Sequence, residues 1–537
     1  MNTALKIISL VLLSLSTDIP LQAQKEFKFV DMHVCSSQKA FESQFDYANR
    51  ELAPQRRFQF LEKMENDCLS GLIIPPELRA AYDGIPKSSQ AHIMSMFKGN
   101  IRISNQVLKP TEHQFLAENQ YLVATSDPSI IYKCLAGVEF EKERFSQSQV
   151  DYFWLVLKQL QYIDEELSYD YHIKGKKYKC RIVRNTDDLR QIMASENEMG
   201  WVMSIGGGHS LGNYTYIATN QMKSTEYENV IIHNIDRLKG AAPLHLKTEE
   251  YLDIPILSIN FGNVFEDGIC GKVVHFSLSE ENAFGSQGSM GKSVTTLGQT
   301  AIKRLLDKEK GRRVLIDIGG MSLKSREWYY KYIKERRFYK DTIPIIASNV
   351  GISGLSKRNS AYTSTDEKIK SQSSYLNHRH ANLCDQDIKA IIKSKGLIGL
   401  SLDRDKLMGR SSQAKYDSYM AGTANQREIA INSIIANLCT IIHKSNTVEA
   451  WKHISISTEF DTHTRHFNQY ESAKDMYRLS NDLLEFFKNP RDTDLYTKKE
   501  IENYMGGYTP EQIVDMITHE NALRFMYEHL PQVQLKP

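Results

Sequence analysis

The chain has 537 residues, of which 41% are hydrophobic and 25% charged, and its formal charge is +2. That balance is ordinary for a large globular protein. So small a net charge gives no field to attract nucleic acid or an anionic membrane, and neither is expected as a partner.

Residues 1–23 read as a secretory signal peptide. Lys6 precedes the apolar run Ile7 to Leu15, and Leu21-Gln22-Ala23 offers a small residue at a cleavage point. The run is about half of the roughly 20 residues that span a bilayer, so no membrane span is expected. No cysteine follows it, which gives no sign of a lipid-modified start. Export to the periplasm or beyond is the expectation. Seven cysteines (Cys35, Cys68, Cys134, Cys180, Cys270, Cys384 and Cys439) carry no CxxC pair. An odd count leaves at least one thiol free, and a chain this long can fold on its core without disulfides.

Phe27 to Val34 is the first predicted strand. Residues 36–175 are read as a long insertion packed on the rest, with a strong helical pattern from Val150 to Leu167. Strands are then predicted over Tyr178–Val183, Trp201–Ile205, Pro255–Phe261, Val314–Ile318, Pro344–Ser348, Leu397–Leu402 and His453–Ser457. Several are near-continuous apolar runs, as strands buried on both faces require. Helical patterns lie between them at Thr296–Asp307, Arg326–Arg337 and Gln426–His443. Residues 352–386 are polar, lack an apolar period and read as a long surface loop. Thr509-Pro510-Glu511-Gln512 has the spacing of a capped helix start.

Strand–helix alternation implies parallel strands with right-handed crossovers, and eight units favour a closed (β/α)8 TIM-type barrel over an open sheet. The barrel is expected over 24–35 and 176–537, with C-terminal helices. Its functional groups belong at the C-terminal ends of the strands.

Those ends read Asp31-Met32-His33-Val34-Cys35, then Gly206-Gly207-Gly208-His209-Ser210, Ile259-Asn260-Phe261, Ile316-Asp317-Ile318-Gly319-Gly320-Met321-Ser322, Pro344 to Asn349, and Ser457-Thr458-Glu459-Phe460-Asp461. Near the end come Gly507-Tyr508-Thr509-Pro510-Glu511-Gln512-Ile513 and Glu520-Asn521-Ala522-Leu523-Arg524-Phe525. In this order the series resembles the membrane (renal) dipeptidase family of zinc peptidases, within the amidohydrolase superfamily. That family carries Asp-x-His-x-Asp, Glu-Gly-Gly-His-Ser, a strand ending in His, Ile-Asp-Leu-x-His-x-Ser, Pro-Val-Ile-x-Ser-His and Gly-x-Asp-Phe-Asp-Gly at the corresponding places. The resemblance covers about residues 27–35 and 177–526.

It implies a metal-dependent hydrolase in which two zinc ions activate water and polarise the scissile carbonyl. The substitutions argue against that chemistry here. The first-strand pair is His33 and Cys35, the bridging glutamate position is Gly206, and the three histidine positions carry Asn260 or Phe261, Gly320 and Asn349. The late aspartate, which handles the proton of the attacking water, is Glu459, the candidate catalytic residue. A catalytic zinc usually needs three protein ligands, and His33 with Cys35 supplies two, enough for at most one metal at a degenerate site. Arg358 matches a family arginine that binds the substrate carboxylate; it and His209 are the candidate substrate-binding residues.

Each of these residues has a second reading. His33 and Cys35 fit a buried polar and a buried small residue, and Cys35 fits a thiolate nucleophile if the fold brings a base such as His209. The three glycines fit a tight strand exit better than a phosphate cradle. Glu459 and Asp461 fit acid/base groups or structural carboxylates. Arg358 fits a surface charge, and His378, His380, His463 and His466 fit solvated loops. The expectation is an exported dipeptidase-like protein without the dinuclear zinc site, binding a peptide, a cell-wall fragment or a partner protein. The alternative is an active hydrolase with one metal on His33, Cys35 and Glu459, or with none.

Overall fold

The computed structural model describes residues 27–46, 51–52, 89–110, 151–173, 175–212, 224–244, 250, 252–262, 267–271, 273, 291–356, 375–462 and 464–532. The expected signal peptide, Arg358 and His463 lie outside them.

Ten strands form the main sheet: β1 (Phe29–Val34), β2 (Ile101–Leu108), β3 (Asp170–Ile173), β4 (Lys176–Ile182), β5 (Glu198–Gly206), β6 (Ile256–Asn260), β7 (Leu315–Asp317), β8 (Ile346–Val350), β9 (Leu397–Ser401) and β10 (Ile454–Ser457). Eight of them follow one another in parallel register, β1-β2-β5-β6-β7-β8-β9-β10. The ring closes at its C-terminal rim, where Glu459 N–H donates to His33 O (2.9 Å) and Cys35 N–H donates to Phe460 O (3.1 Å). The fold is therefore a (β/α)8 barrel.

Two strand assignments differ from expectation. Tyr178–Val183 was expected in the ring, but β4 pairs with β3 in a hairpin and flanks only the start of β5. The second barrel strand is instead β2, from the stretch read as an insertion. Its sequence, Ile-Arg-Ile-Ser-Asn-Gln-Val-Leu, hides the burial because polar residues occupy its middle, yet every residue is buried. Hydrogen bonding inside the barrel compensates: Asn105 donates to Met32 O (2.9 Å) and accepts from Ser204 (2.8 Å), while Gln106 donates to Ser104 (2.9 Å).

The helices follow their apolar periods. Tyr152–Glu166 (α1), Thr296–Leu306 (α2), Leu323–Phe338 (α3) and Ala424–Ser445 (α4) match the expected patterns within three residues at each end. Thr509 caps its helix reciprocally with Gln512, with Pro510 in the first turn. The polar stretch 352–386 is not wholly a surface loop. Its described end packs inward, with Leu376, Asn382 and Leu383 buried, because Asn382 accepts from Gly351 N–H (2.9 Å) and donates to the carbonyls of Asn377 and Lys406 (both 2.7 Å). His378 and His380 are accordingly half-buried, not solvated. No described helix is long and apolar enough to cross a membrane.

Candidate functional site

The strand ends build a ring of polar side chains, and β1 sets its first member. His33 is 6% exposed and its Nδ1 lies 2.7 Å from Ser348 Oγ, which reaches it from the middle of β8. Ser348 Oγ donates in turn to Asp317 at the end of β7, and that carboxylate also accepts from Ser348 N–H (3.1 Å) and Gly319 N–H (2.9 Å). Because Ser348 gives its proton to Asp317, it accepts from His33, which fixes the Nδ1–H tautomer and leaves Nε2 with a lone pair. Burial lowers the imidazole's proton affinity, against the pull of Glu459 and Asp317. Ser348 and Asp317 fix the orientation of the ring.

Glu459 sits just beyond β10, with φ at +57°. Left-handed backbone at a non-glycine costs energy and marks a constrained turn. Here it lets the Glu459 N–H close the barrel on His33 O. The side chain is fully committed: Oε1 accepts from Lys406 Nζ at 2.6 Å and from Asn349 Nδ2 at 3.1 Å, and Oε2 accepts from Ser401 Oγ. Burial works to raise its pKa, but Lys406, His33 and Ser401 outweigh it and hold the carboxylate at about 2. Such an anion is an ion-pair member and a poor proton acceptor.

Lys406 is the residue that sequence reasoning missed. It looks like surface charge within Asp403-Arg404-Asp405-Lys406, yet the short helix Arg404–Leu407, capped by Asp403, turns it inward. Its ammonium is nearly buried and donates also to Asn349 O (3.1 Å). Ser348, Asp317 and Ser401 were likewise unassigned. The signal available for them was their position, polar residues at strand ends.

The other candidates have structural roles. Cys35 is buried and burial pushes its thiol up to about 12, so it is not a thiolate nucleophile. His209 is placed away from that role, its Nε2 bonded to Pro110 O (2.9 Å) and its ring edge-on to Tyr152 of α1 at 4.9 Å. It joins the strand exit to the end of β2. Asp461 accepts from the backbone of Gln90 (2.9 Å) and Ala91 (3.0 Å) and from Ser89 Oγ (3.1 Å), pinning that segment to the rim. His466 is buried, bonded to Thr458 O (2.7 Å) and Gln90 (3.0 Å). The glycine run makes a tight exit at Gly207 (φ +81°), and a Cβ on Gly208 would meet Asp267 Oδ2 at 2.5 Å. A carboxylate there opposes a phosphate.

These residues do not fit a zinc pair. Among the described residues no three His, Cys, Asp or Glu side chains gather in metal-binding range. The reason lies in the donor set, since Glu459 is paired with Lys406 and Asp317 is taken by Ser348 and Gly319. His33 Nε2 is the one rim donor left open among them, against the three that a catalytic zinc needs.

No family model and no curated protein matches the chain. Solved structures align along most of its length. A dipeptidase described as a metallo peptidase is 9% identical, covering 94% of this chain and 99% of its own, with a TM-score of 0.47. A metallo peptidase from Rhodobacter sphaeroides, solved with a phosphinate mimic of the dipeptide L-Ala-D-Ala, is 9% identical over 94% of this chain and 100% of its own (TM-score 0.49). The probable dipeptidase PvdM from Pseudomonas aeruginosa is 13% identical over 94% and 96%, at a TM-score of 0.46.

Proposed function

We propose that this chain is an exported, dipeptidase-like barrel protein that binds a short peptide or peptide-like fragment at its mouth and does not hydrolyse it by a two-zinc mechanism. The observation that carries this reading is the Lys406–Glu459 pair, in which the carboxylate expected to manage the proton of an attacking water is bonded at both oxygens. An ammonium supplies the positive charge there. The substitutions at Gly206, Gly320 and Asn349 agree with it. Residues 1–23 support export, to the periplasm or the medium.

The test is elemental analysis of protein purified without chelator, paired with a hydrolysis assay on a panel of L,L and L,D dipeptides. The expected result is less than one zinc per chain and no turnover. Two stoichiometric zinc ions with robust hydrolysis would overturn the reading.

One observation favours a second reading, a metal-free hydrolase. The His33–Ser348–Asp317 series orients the imidazole as a general base requires. Under that reading some dipeptide or related amide is turned over, and His33→Ala removes the activity while Glu459→Gln does not.

A further inference from the structure

Residues 307–314, 337–345 and 393–396 lead into β7, β8 and β9. They lie at the N-terminal end of these neighbouring parallel strands, on the face opposite the mouth. Cross-bonds hold them together. Arg313 donates to both oxygens of Asp341 (2.8 and 2.9 Å), Arg337 donates to Lys393 O (3.1 Å), and Ile345 N–H donates to Ser394 Oγ (3.0 Å). Lys308, Lys310, Arg337, Lys340, Lys393 and Lys395 are exposed on these connections, and none of them makes an ion pair among the described residues. In the same connections Glu309 is the one exposed carboxylate among the described residues. The net charge of +2 hides this face, because it sums over the whole chain.

Two large aromatics stand out from it at the end of α3. Phe338 is 84% exposed and Tyr339 is 73% exposed. Tyr339 N–H donates to Arg336 O and Lys340 N–H to Arg337 O (both 3.0 Å), which winds up the helix end and fixes the turn that carries the rings. The ring centroids are 5.5 Å apart at 89°, so the pair forms one apolar tip, edge to face, and not two parallel platforms for stacking bases. An apolar tip ringed by unpaired cations matches the interface of an anionic bilayer, where aromatic rings sit among the headgroups and ammonium groups meet phosphates.

We propose that this basal face docks peripherally on an anionic lipid surface, with Phe338 and Tyr339 entering the headgroup layer. The mouth then points away from the lipid. The inference is independent of the peptide-binding reading, since none of these residues lies at the C-terminal end of a strand.

Flotation of the full chain with vesicles tests it, one set made of equal parts phosphatidylglycerol and phosphatidylcholine, the other of phosphatidylcholine alone. Affinity should be at least about tenfold higher for the anionic set and should fall as salt is raised, because ions screen each contact. Phe338→Ser/Tyr339→Ser should lose about tenfold on anionic vesicles. Lys340→Glu/Lys393→Glu/Lys395→Glu should erase the preference for them. All five positions are exposed, so the melting temperature should stay at its native value. Ratios between vesicle sets and between variants cancel any adhesion of the apolar run Ile7 to Leu15. Equal binding to both sets, binding to neither, or a preference that survives the triple variant overturns the proposal. A loss in the triple variant with no effect of the ring variant also overturns the bilayer as occupant, in favour of an acidic protein or nucleic acid.

Discussion

Lys406 Nζ lies 2.6 Å from Glu459 Oε1, with both side chains buried under the barrel mouth. A buried pair is costly to break from one side, because the remaining charge has no solvent to turn to. Lys406→Met is expected to destabilise the fold by about 3–5 kcal/mol. The double variant Lys406→Met/Glu459→Gln should recover a large part of the loss, since no buried charge then stands alone. Urea unfolding of the single and double variants measures both; a single-variant loss under about 1 kcal/mol would mean that the pair is exposed to water.

His466 and Glu459 each make the fold lose stability in acid, in separate windows. His466 is held at about 4 by burial, below its ordinary 6.5, so the unfolded chain takes up protons first. Its contribution is complete above pH 6.5 and falls as the pH drops to about 4, on the order of 3 kcal/mol in all. Glu459, held at about 2, contributes fully above its ordinary 4.5 and loses that contribution between pH 4.5 and 2. Asp31 works in the opposite sense: burial raises it to about 7, so its contribution fades as the pH rises from 3.8 to 7. Between pH 7 and 4 the His466 loss and the Asp31 gain oppose each other, so the check is a difference: in unfolding midpoints recorded at intervals over that range, His466→Asn should remove the acid-induced loss and make the midpoint rise more, or fall less, than in the native protein as the pH drops, even though it lowers stability throughout.

Cys35 should be inert. With the thiol buried and pushed up to about 12, alkylation at pH 8 followed by peptide mapping should leave it unlabelled in native protein and labelled in urea. Cys35→Ser should leave dipeptide binding unchanged and cost about 1–3 kcal/mol for burying an ill-matched hydroxyl. Rapid labelling of the native thiol would restore the nucleophile reading.

His209→Ala should act on stability alone. It removes the bond to Pro110 O and the edge contact with Tyr152, together worth about 1–3 kcal/mol. Affinity for Ala-Ala should stay within about twofold of the native value; a tenfold loss, about 1.4 kcal/mol, would return His209 to the binding site.

By itself the sequence determined the class of fold and the places where function could sit. Near-continuous apolar runs such as Leu397–Ser401 betray strands buried on both faces, and amphipathic periods such as Ala424–Ser445 betray the helices between them. Both signals are local, so both survive without coordinates. Which polar residues meet is set by the folded chain. The strand Ile101–Leu108 escaped notice because its buried Asn105 and Gln106 take partners from other segments, a condition that no window of sequence contains. Lys406 and Glu459 are 53 residues apart, and the inward turn that pairs them is invisible in a run of charges that reads as solvated. A charge's role depends on the dielectric around it and on the counter-charge within a few ångströms, and both are properties of the folded chain.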